Sequence, residues 1–345
     1  MTADPRSILV VQTAFVGDVI LTLPLMQALH ERFPGAPVTA VTVPSAVDVV
    51  ASHPAVARVL PYDKRGIDRG IAGLARMAAR LRAARFDVAL IPHRSLRSAL
   101  LAALARIPVR IGFDRSAGRL LLTQSVHYAG GDHEILRNLA LAAPMGLAPG
   151  GMPLPVLHPG EADLRSVDAF LRQLPGGIDR PRIAVAPGSV WATKRWPEEN
   201  YAALIRLILE REMPVVLVGG PGDRELCARL ARAAGSPLLA DASGRFSLTG
   251  SAALIARCRA LVANDSAPVH MAVAVGVPVI ALFGPTVPAF GFAPAGPRDI
   301  VVDAGHIDCR PCSIHGGNRC PTGTFDCMRR IAVARVLEEV LARAS

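Results

Sequence analysis

The sequence predicts an α/β protein made of two doubly wound, Rossmann-like domains. Three observations carry that reading. The chain has 345 residues, more than one ordinary domain needs, and 51% of them are apolar, enough for a sizeable core. Short β-branched runs alternate with Ala/Leu/Arg stretches at helical spacing, the pattern of parallel sheets covered on both faces. The alternation fades between residues 142 and 181 and then restarts.

The elements follow in order. An apolar run at 8–12 reads as the first strand, and 19–32 as a helix. Strands are expected at 38–43 and 87–91, with helices at 71–85 and 96–105. The faded stretch holds Pro144, Pro149, Pro153, Pro155, Pro159, Pro175 and Pro181 with several glycines, so it reads as a connector. Its one helix is expected at 161–173. The second half gives strands at 183–186, 215–219, 260–263 and 277–283. Its helices are expected at 198–211, 224–234, 248–258, 267–275 and 331–343. The expected domains are therefore 1–160, a linker 161–181, and 182–345 with a Cys-rich segment at 306–327. In such sheets ligands bind beyond the carboxyl ends of the strands, here in a cleft between two domains.

Composition excludes several classes. The longest apolar run, 269–283, contains His270 and Pro278 and is short for a membrane span. The N-terminal run reads as a strand and not as a signal peptide, so a cytoplasmic protein is expected. The net charge is +10, and thirteen Lys and Arg lie between Lys64 and Arg119 against Asp68, Asp87 and Asp114. That excess fits a polyanionic partner, or simply Arg-rich solvated faces. Six cysteines in such a chain argue against a disulfide framework. Cys227 and Cys258 sit in helical patterns and read as inert.

The residues after each strand carry the chemistry. Gly17-Asp18 follows the first strand, and Asp18 suits a helix N-cap or a base at the cleft. The dinucleotide pattern G-x-G-x-x-G is absent. In the second half, Pro187-Gly188-Ser189 leads to Thr193-Lys194-Arg195-Trp196-Pro197, a Gly/Ser loop with two cations before a helix. It reads as a pyrophosphate clamp or as a solvated loop. Gly219-Gly220-Pro221-Gly222-Asp223-Arg224-Glu225 admits close backbone approach, with an acid for ribose hydroxyls or an N-cap at Asp223. Asn264-Asp265-Ser266-Ala267-Pro268 opens a helix whose N-terminus is a ready anion site, capped by Asp265 or Ser266, with His270 one turn inside. Cys309, Cys312, Cys320 and Cys327, with His306 and His315 interspersed, resemble a structural metal knuckle. Packed reduced thiols and adventitious disulfides are the alternatives.

In this order and spacing the motifs resemble the ADP-heptose:lipopolysaccharide heptosyltransferases of glycosyltransferase family 9, and most of all the heptosyltransferase II branch. The resemblance rests on Gly17-Asp18 with Pro24, Pro187-Gly188-Ser189 with Lys194-Arg195-Trp196-Pro197, Asn264-Asp265-Ser266 with His270, and Phe283-Gly284-Pro285-Thr286. It covers nearly the whole chain and implies the GT-B fold. It implies an inverting transfer of a manno-heptose from ADP-heptose to Kdo-lipid A or a heptosylated inner core.

By position, Asp18 would match the family's base and Lys194 its diphosphate-binding lysine, with Ser189 nearby. Glu225 would meet the adenosine ribose, and the main chain at Phe246 the adenine. Asp265, Ser266, Ala267 and His270 would surround the phosphates and heptose. Ala267-Pro268 departs from the Gly-apolar pair of many relatives; the N–H lost at Pro268 is easily spared in a first turn. The acceptor's phosphates and acidic sugars would meet Lys64, Arg65, Arg94, Arg97 and Arg119. No catalytic metal is implied; similar Cys-rich segments occur in heptosyltransferase II-like sequences, which agrees with a structural zinc on the four cysteines without establishing one. The enzyme would work in the cytoplasm, peripherally at the anionic inner membrane surface, and would not bind nucleic acid. The rivals are a GT-B transferase or epimerase using another nucleotide sugar and, farther off, a basic nucleic-acid-binding protein. The last is disfavoured because the cations are not interleaved with aromatic stacking platforms.

Overall fold

The computed structural model describes residues 4–148 and 150–344; Pro149 of the expected connector lies outside the described residues. The chain divides between His158 and Pro159 into two units. The first holds β1 (Ile8–Gln12), β2 (Val38–Thr42), β3 (Arg58–Pro61), β4 (Val88–Ile91), β5 (Val109–Phe113) and β6 (Gln124–Val126). The second holds β7 (Arg182–Ala186), β8 (Val215–Leu217), β9 (Leu239–Asp241), β10 (Cys258–Asn264), β11 (Val279–Phe283) and β12 (Ile300–Asp303). The sheet orders are β3-β2-β1-β4-β5-β6 and β12-β11-β10-β7-β8-β9, and every pairing is parallel. Each unit thus repeats one doubly wound order. Each reverses direction once, at β1/β4 and at β7/β10.

The central strands form because both faces are covered. All five residues of β1, β2, β7 and β11 are buried, and each buried Val, Leu or Ile contributes about 1.5–3 kcal/mol relative to exposure. On one face of the first sheet, Leu9, Val11, Val41 and Leu60 meet Met77 and Leu81 of the helix Gly70–Ala84 and Leu101 of the helix Leu96–Leu104. In the second, Ile183, Val185, Val262 and Leu282 pack with Tyr201, Leu204, Val336 and Val340.

Several boundaries depart from expectation. The helix expected at 19–32 is two helices, Val16–Ile20 and Leu23–Arg32, which part at Leu21-Thr22 just before Pro24. The segment 161–181 is not a loose linker. Its helix, Glu161–Arg172, belongs to the second unit and packs on the helix Leu248–Ile255. Asp168 pairs with Arg257 at 2.9 Å and Phe170 meets Phe246 edge-on at 5.6 Å. The residues after it are held to β7 by Arg182, whose guanidinium donates to the carbonyls of Arg180 and Gly177 at 2.6 and 2.7 Å. Cys258 opens strand β10 instead of closing a helix.

One glycine fixes a loop that matters below. A Cβ on Gly73 would lie 2.2 Å from the carbonyl carbon of Asp68, while Arg97 Nη2 pins that carbonyl at 2.7 Å. Helix propensity alone favours Ala over Gly by about 1 kcal/mol. Overpacking against backbone costs about 1–3 kcal/mol, and backbone held by a guanidinium cannot yield cheaply. Gly73→Ala is therefore expected to lower the urea midpoint of the first unit's unfolding. A raised midpoint would show that the loop gives way freely.

Candidate functional site

Parallel strands place all their carboxyl ends on one edge, so each unit offers a row of loops with a switch point in the middle. In the first unit the switch falls between β1 and β4, where a hydrogen-bonded chain crosses. Thr13 Oγ1 lies 2.9 Å from His93 Nδ1, which lies 3.0 Å from Ser98 Oγ. Burial, then the charges of Lys64 and Arg94, push His93 down to about 4, so the imidazole is neutral at pH 7. Lys64 reaches in and donates to the Thr13 carbonyl at 2.6 Å. Its pKa is lowered, first by burial and then by Arg65 and Arg97, with Asp18 opposing.

Asp18 is not the N-cap that was expected. It sits in the first turn of the helix Val16–Ile20, where Phe15 is the cap residue, and its Oδ2 accepts the Phe15 N–H at 3.1 Å. The turn is braced from behind. Thr22 Oγ1 donates to the Asp18 carbonyl at 2.7 Å and accepts from Gln12 Nε2 at 3.1 Å. Asn138 Nδ2 donates to the Leu21 carbonyl at 3.1 Å. Asn138 lies on an unexpected helix, Glu134–Ala140, which also buries an ion pair: Arg137 Nε is 3.3 Å from Glu134 Oε2. Burial raises the Glu134 carboxyl to about 7; Arg137 opposes the rise and Asp18 adds to it. Glu134 therefore senses the charge of Asp18.

The basic residues expected to hold an acceptor differ in what they already do. Arg97 donates to the Tyr62 hydroxyl and to the carbonyls of Asp68 and Gly70, so much of its fork is spent locally. Arg94 lies over the Tyr128 ring at 4.1 Å, and Arg65 over Phe15 at 5.9 Å. Arg119 is exposed in the short turn Arg119–Leu121.

In the second unit the switch falls between β7 and β10. Lys194, after β7, meets Asp265, after β10: Nζ and Oδ2 are 2.5 Å apart, with only 11% and 8% of the side chains exposed. Thr286, after β11, donates to the same oxygen at 2.7 Å. Asn264 ties the loops together, donating to the Pro187 carbonyl at 2.8 Å and accepting the Trp196 N–H at 3.0 Å. Ser189 is buried and its carbonyl accepts from Arg195 Nε at 2.8 Å.

The helix Ala267–Ala274 begins here, with Ser266 at its N-cap position. Neither expected cap operates: the Ser266 hydroxyl turns back to the Asn264 carbonyl at 3.1 Å, and Asp265 is taken by Lys194 and Thr286. His270 is buried in the same helix. Asp223 accepts the Gly220 N–H at 2.8 Å, and a Cβ on Gly188 would fall 2.1 Å from its carboxylate. Glu225 is exposed on the first turn of the helix Arg224–Ala234. Phe246 packs its ring edge-on against Phe170.

The Cys-rich segment leans on this site. Thr193 N and Oγ1 donate to the Gly317 carbonyl at 3.0 and 2.9 Å, and Arg310 donates to the Thr286 carbonyl at 3.1 Å. The four cysteines are neighbours: burial, then the charges of Cys312, Cys320 and Cys309, raise the Cys327 thiol to about 11. Yet Cys312 Sγ donates to the Cys309 carbonyl at 3.2 Å and Cys327 is buried. Among the described residues, no group of three or more His, Cys, Asp or Glu is arranged to hold a metal ion. The expected zinc thus finds no fitting donor set in this arrangement. Burial raises Cys227 and Cys258 to about 12, with the charges of Asp241 and Asp223 adding to the rise at Cys227, which suppresses their thiolates.

Sequence reasoning missed Thr13, His93, Glu134, Arg137 and Asn138 in the first unit, and the roles of Asn264, Thr286 and Arg310 in the second. Reading the residues after every strand reaches His93. The pair Glu134/Arg137 gave no such signal, because the short helix that carries it was not anticipated.

Comparison with known proteins agrees with this geometry. The profile of glycosyltransferase family 9 (heptosyltransferase) matches residues 74–318. The chain is 31% identical to lipopolysaccharide heptosyltransferase 2 of Salmonella typhimurium over 298 residues, covering 82% of this chain and 84% of that one. It is also 31% identical to lipopolysaccharide heptosyltransferase 1 of Pseudomonas aeruginosa, covering 88% and 85%. The solved structure of Escherichia coli ADP-heptose lps heptosyltransferase II superposes with a TM-score of 0.80 at 27% identity, over 98% of both chains. The fold is GT-B, and the chain belongs to glycosyltransferase family 9, the heptosyltransferases.

Proposed function

We propose that this protein is an inverting glycosyltransferase that moves a manno-heptose from ADP-heptose to the inner core of lipopolysaccharide. The observation that carries the reading is the Lys194–Asp265–Thr286 constellation at the switch point of the second sheet, in a chain of heptosyltransferase lineage. A lysine ammonium held in place by a carboxylate is a fixed positive charge where a diphosphate would sit. Ser189 and the helix N-terminus at Ser266 add donors, Glu225 would meet the ribose, and the main chain at Phe246 the adenine.

In this reading the acceptor oxygen attacks the anomeric carbon and its proton passes to the Asp18 carboxylate. The bond from that carbon to the diphosphate breaks, and ADP leaves with the electron pair. Lys194 and the N-terminus of the helix Ala267–Ala274 carry the charge of the leaving group, and the step is written without a metal ion. The acceptor's phosphates and acidic sugars fall to Lys64, Arg65, Arg94 and Arg119, with Arg97 shaping their loop. Because that acceptor is lipid-linked, the protein works at an anionic membrane surface, and no helix among the described residues is long and apolar enough to cross one. Incubation with ADP-heptose and defined core acceptors should add one heptosyl unit by mass and release ADP. Transfer from a different nucleotide sugar alone would overturn the donor assignment.

Two variants test the roles separately. Asp18→Asn keeps an oxygen for the Phe15 N–H, so the turn survives, yet it removes the base. Turnover should fall at least about 10²-fold with ADP affinity unchanged, and near-normal turnover would reduce Asp18 to a brace for the turn. Lys194→Ala removes a charge-assisted contact and exposes the diphosphate to the Asp265 carboxylate. ADP binding should weaken by about 1.5–3 kcal/mol in calorimetry, and unchanged affinity would move the diphosphate elsewhere.

A further inference from the structure

The first unit exposes large aliphatic side chains where its cations gather. Ile67 is 83% exposed, Ile71 85%, Leu96 48% and Leu120 89%. Ile67 lies on the loop after β3, Ile71 and Leu96 open the helices Gly70–Ala84 and Leu96–Leu104 that follow β3 and β4, and Leu120 sits in the turn after β5; in a parallel sheet these connections share one end.

The loops form one surface. Arg97, at the start of the helix Leu96–Leu104, donates to the carbonyls of Asp68 and Gly70 at 2.7 and 2.8 Å, joining the first loop to the second. The Ala117 N–H donates to the Arg94 carbonyl at 3.0 Å. A Cβ on Gly118 would lie 2.4 Å from Ala99 Cβ and 3.4 Å from Leu96 Cα, so the third loop presses on the same helix.

Charge is arranged around these tips. Arg65 and Arg69 flank Ile67, Arg69 also precedes Ile71 by two residues, and Arg119 adjoins Leu120, with Arg115 on the same turn; all four arginines are exposed. The nearby acids already hold partners. Asp63 accepts the Gly66 N–H at 2.8 Å, Asp68 pairs with Arg76 at 2.9 Å, and Asp114 accepts from His127 and the Tyr128 N–H at 2.9 and 3.0 Å. What remains outward is aliphatic side chains standing singly on loop tips within a cationic field. A protein interface gathers its apolar residues into a packed centre. Isolated apolar tips among arginines instead fit the boundary between headgroups and acyl chains of an anionic bilayer.

We infer that this end of the first unit docks on an anionic lipid bilayer, with Ile67, Ile71 and Leu120 entering the interface and the arginines contacting lipid phosphates. The inference rests on the proposed lipid-linked acceptor for its purpose, and it adds the face and the residues that insert.

Vesicle flotation tests it with the full chain, using phosphatidylcholine vesicles with and without about one-third phosphatidylglycerol. The wild type should bind the anionic vesicles at least tenfold more tightly than the neutral ones, and high salt should weaken that binding. The variant Ile67→Ser/Ile71→Ser/Leu120→Ser keeps every charge and should lose at least tenfold in anionic-vesicle binding, with an unchanged melting temperature. Its transfer to a delipidated soluble acceptor should match the wild type, while transfer to an acceptor embedded in vesicles should fall. Equal binding by wild type and variant, or no preference for anionic vesicles, would overturn the inference. So would a change of oligomeric state in the variant, which would make this face a contact between copies. If the wild type transfers nothing to any acceptor yet binds vesicles through these residues, the proposed reaction fails and the docking face stands.

Discussion

A lysine buried against an aspartate is costly, and the second unit is organised around making that cost tolerable. Removing two charges from water costs several kcal/mol per ion, and their attraction offsets it only with good geometry and further hydrogen bonds. Lys194 and Asp265 meet at 2.5 Å, and Thr286 adds a donor to the shared oxygen. The three residues come from loops after β7, β10 and β11, so the pair exists only if those strands are neighbours in parallel register. Asn264 then locks the β7 loop to the end of β10, and the Gly317 clasp on Thr193 holds the short turn that carries Lys194. A lysine immobilised this way has lost its rotamer freedom during folding, so an anion bound there would not have to order it.

The two units share a strand order but not the chemistry at its reversal. At β1/β4 the crossing group is the neutral chain Thr13–His93–Ser98, with His93 held deprotonated by burial and nearby cations. Charge is set to either side of it, on Asp18, Lys64 and the Glu134/Arg137 pair. That division suits a unit that handles a proton and an acceptor more than one that grips a nucleotide. At β7/β10 the crossing group is itself charged, which suits an anion. One topology presents an edge, and the residues immediately after the strands decide its use.

The same logic explains what could be read in the sequence. The central strands were legible because they are buried on both faces and written as unbroken apolar runs. β3, β6, β9 and β12 are short or lie towards the sheet margins, and Arg58, Gln124, Asp241 and Asp303 break their pattern. β5 hides behind Arg110 and Gly112. In the site, the loop residues at strand ends were legible by position, but their partners were not. Asp265 looked like a cap because caps are the usual use of an acid before a helix. Only the fold shows a lysine 71 positions earlier occupying it. The spacing of Cys309, Cys312, Cys320 and Cys327 suggested a metal, whereas in the structure the segment is tied to its surroundings by Gly317, Arg310 and the buried Cys327.

The arginine excess also changes meaning once the fold is known. A net charge of +10 suggests a polyanionic partner only if the cations face outward. Many do not. Arg182 satisfies carbonyls of the segment before β7, Arg110 those of Ile107 and Leu121, and Arg97 those of Asp68 and Gly70. A guanidinium is well suited to this, with five donors in a rigid fork and a weak hydration shell. Loops at the ends of parallel strands are rich in carbonyls that no ladder uses, and buried carbonyls need donors. Arginine therefore serves first as a fastener for the loops that make the edge. Part of the charge that faces outward stands where the fastened loops end, on Arg65, Arg69, Arg115 and Arg119 beside Ile67, Ile71 and Leu120. The composition alone cannot separate those two uses, because fastening and display employ the same side chain.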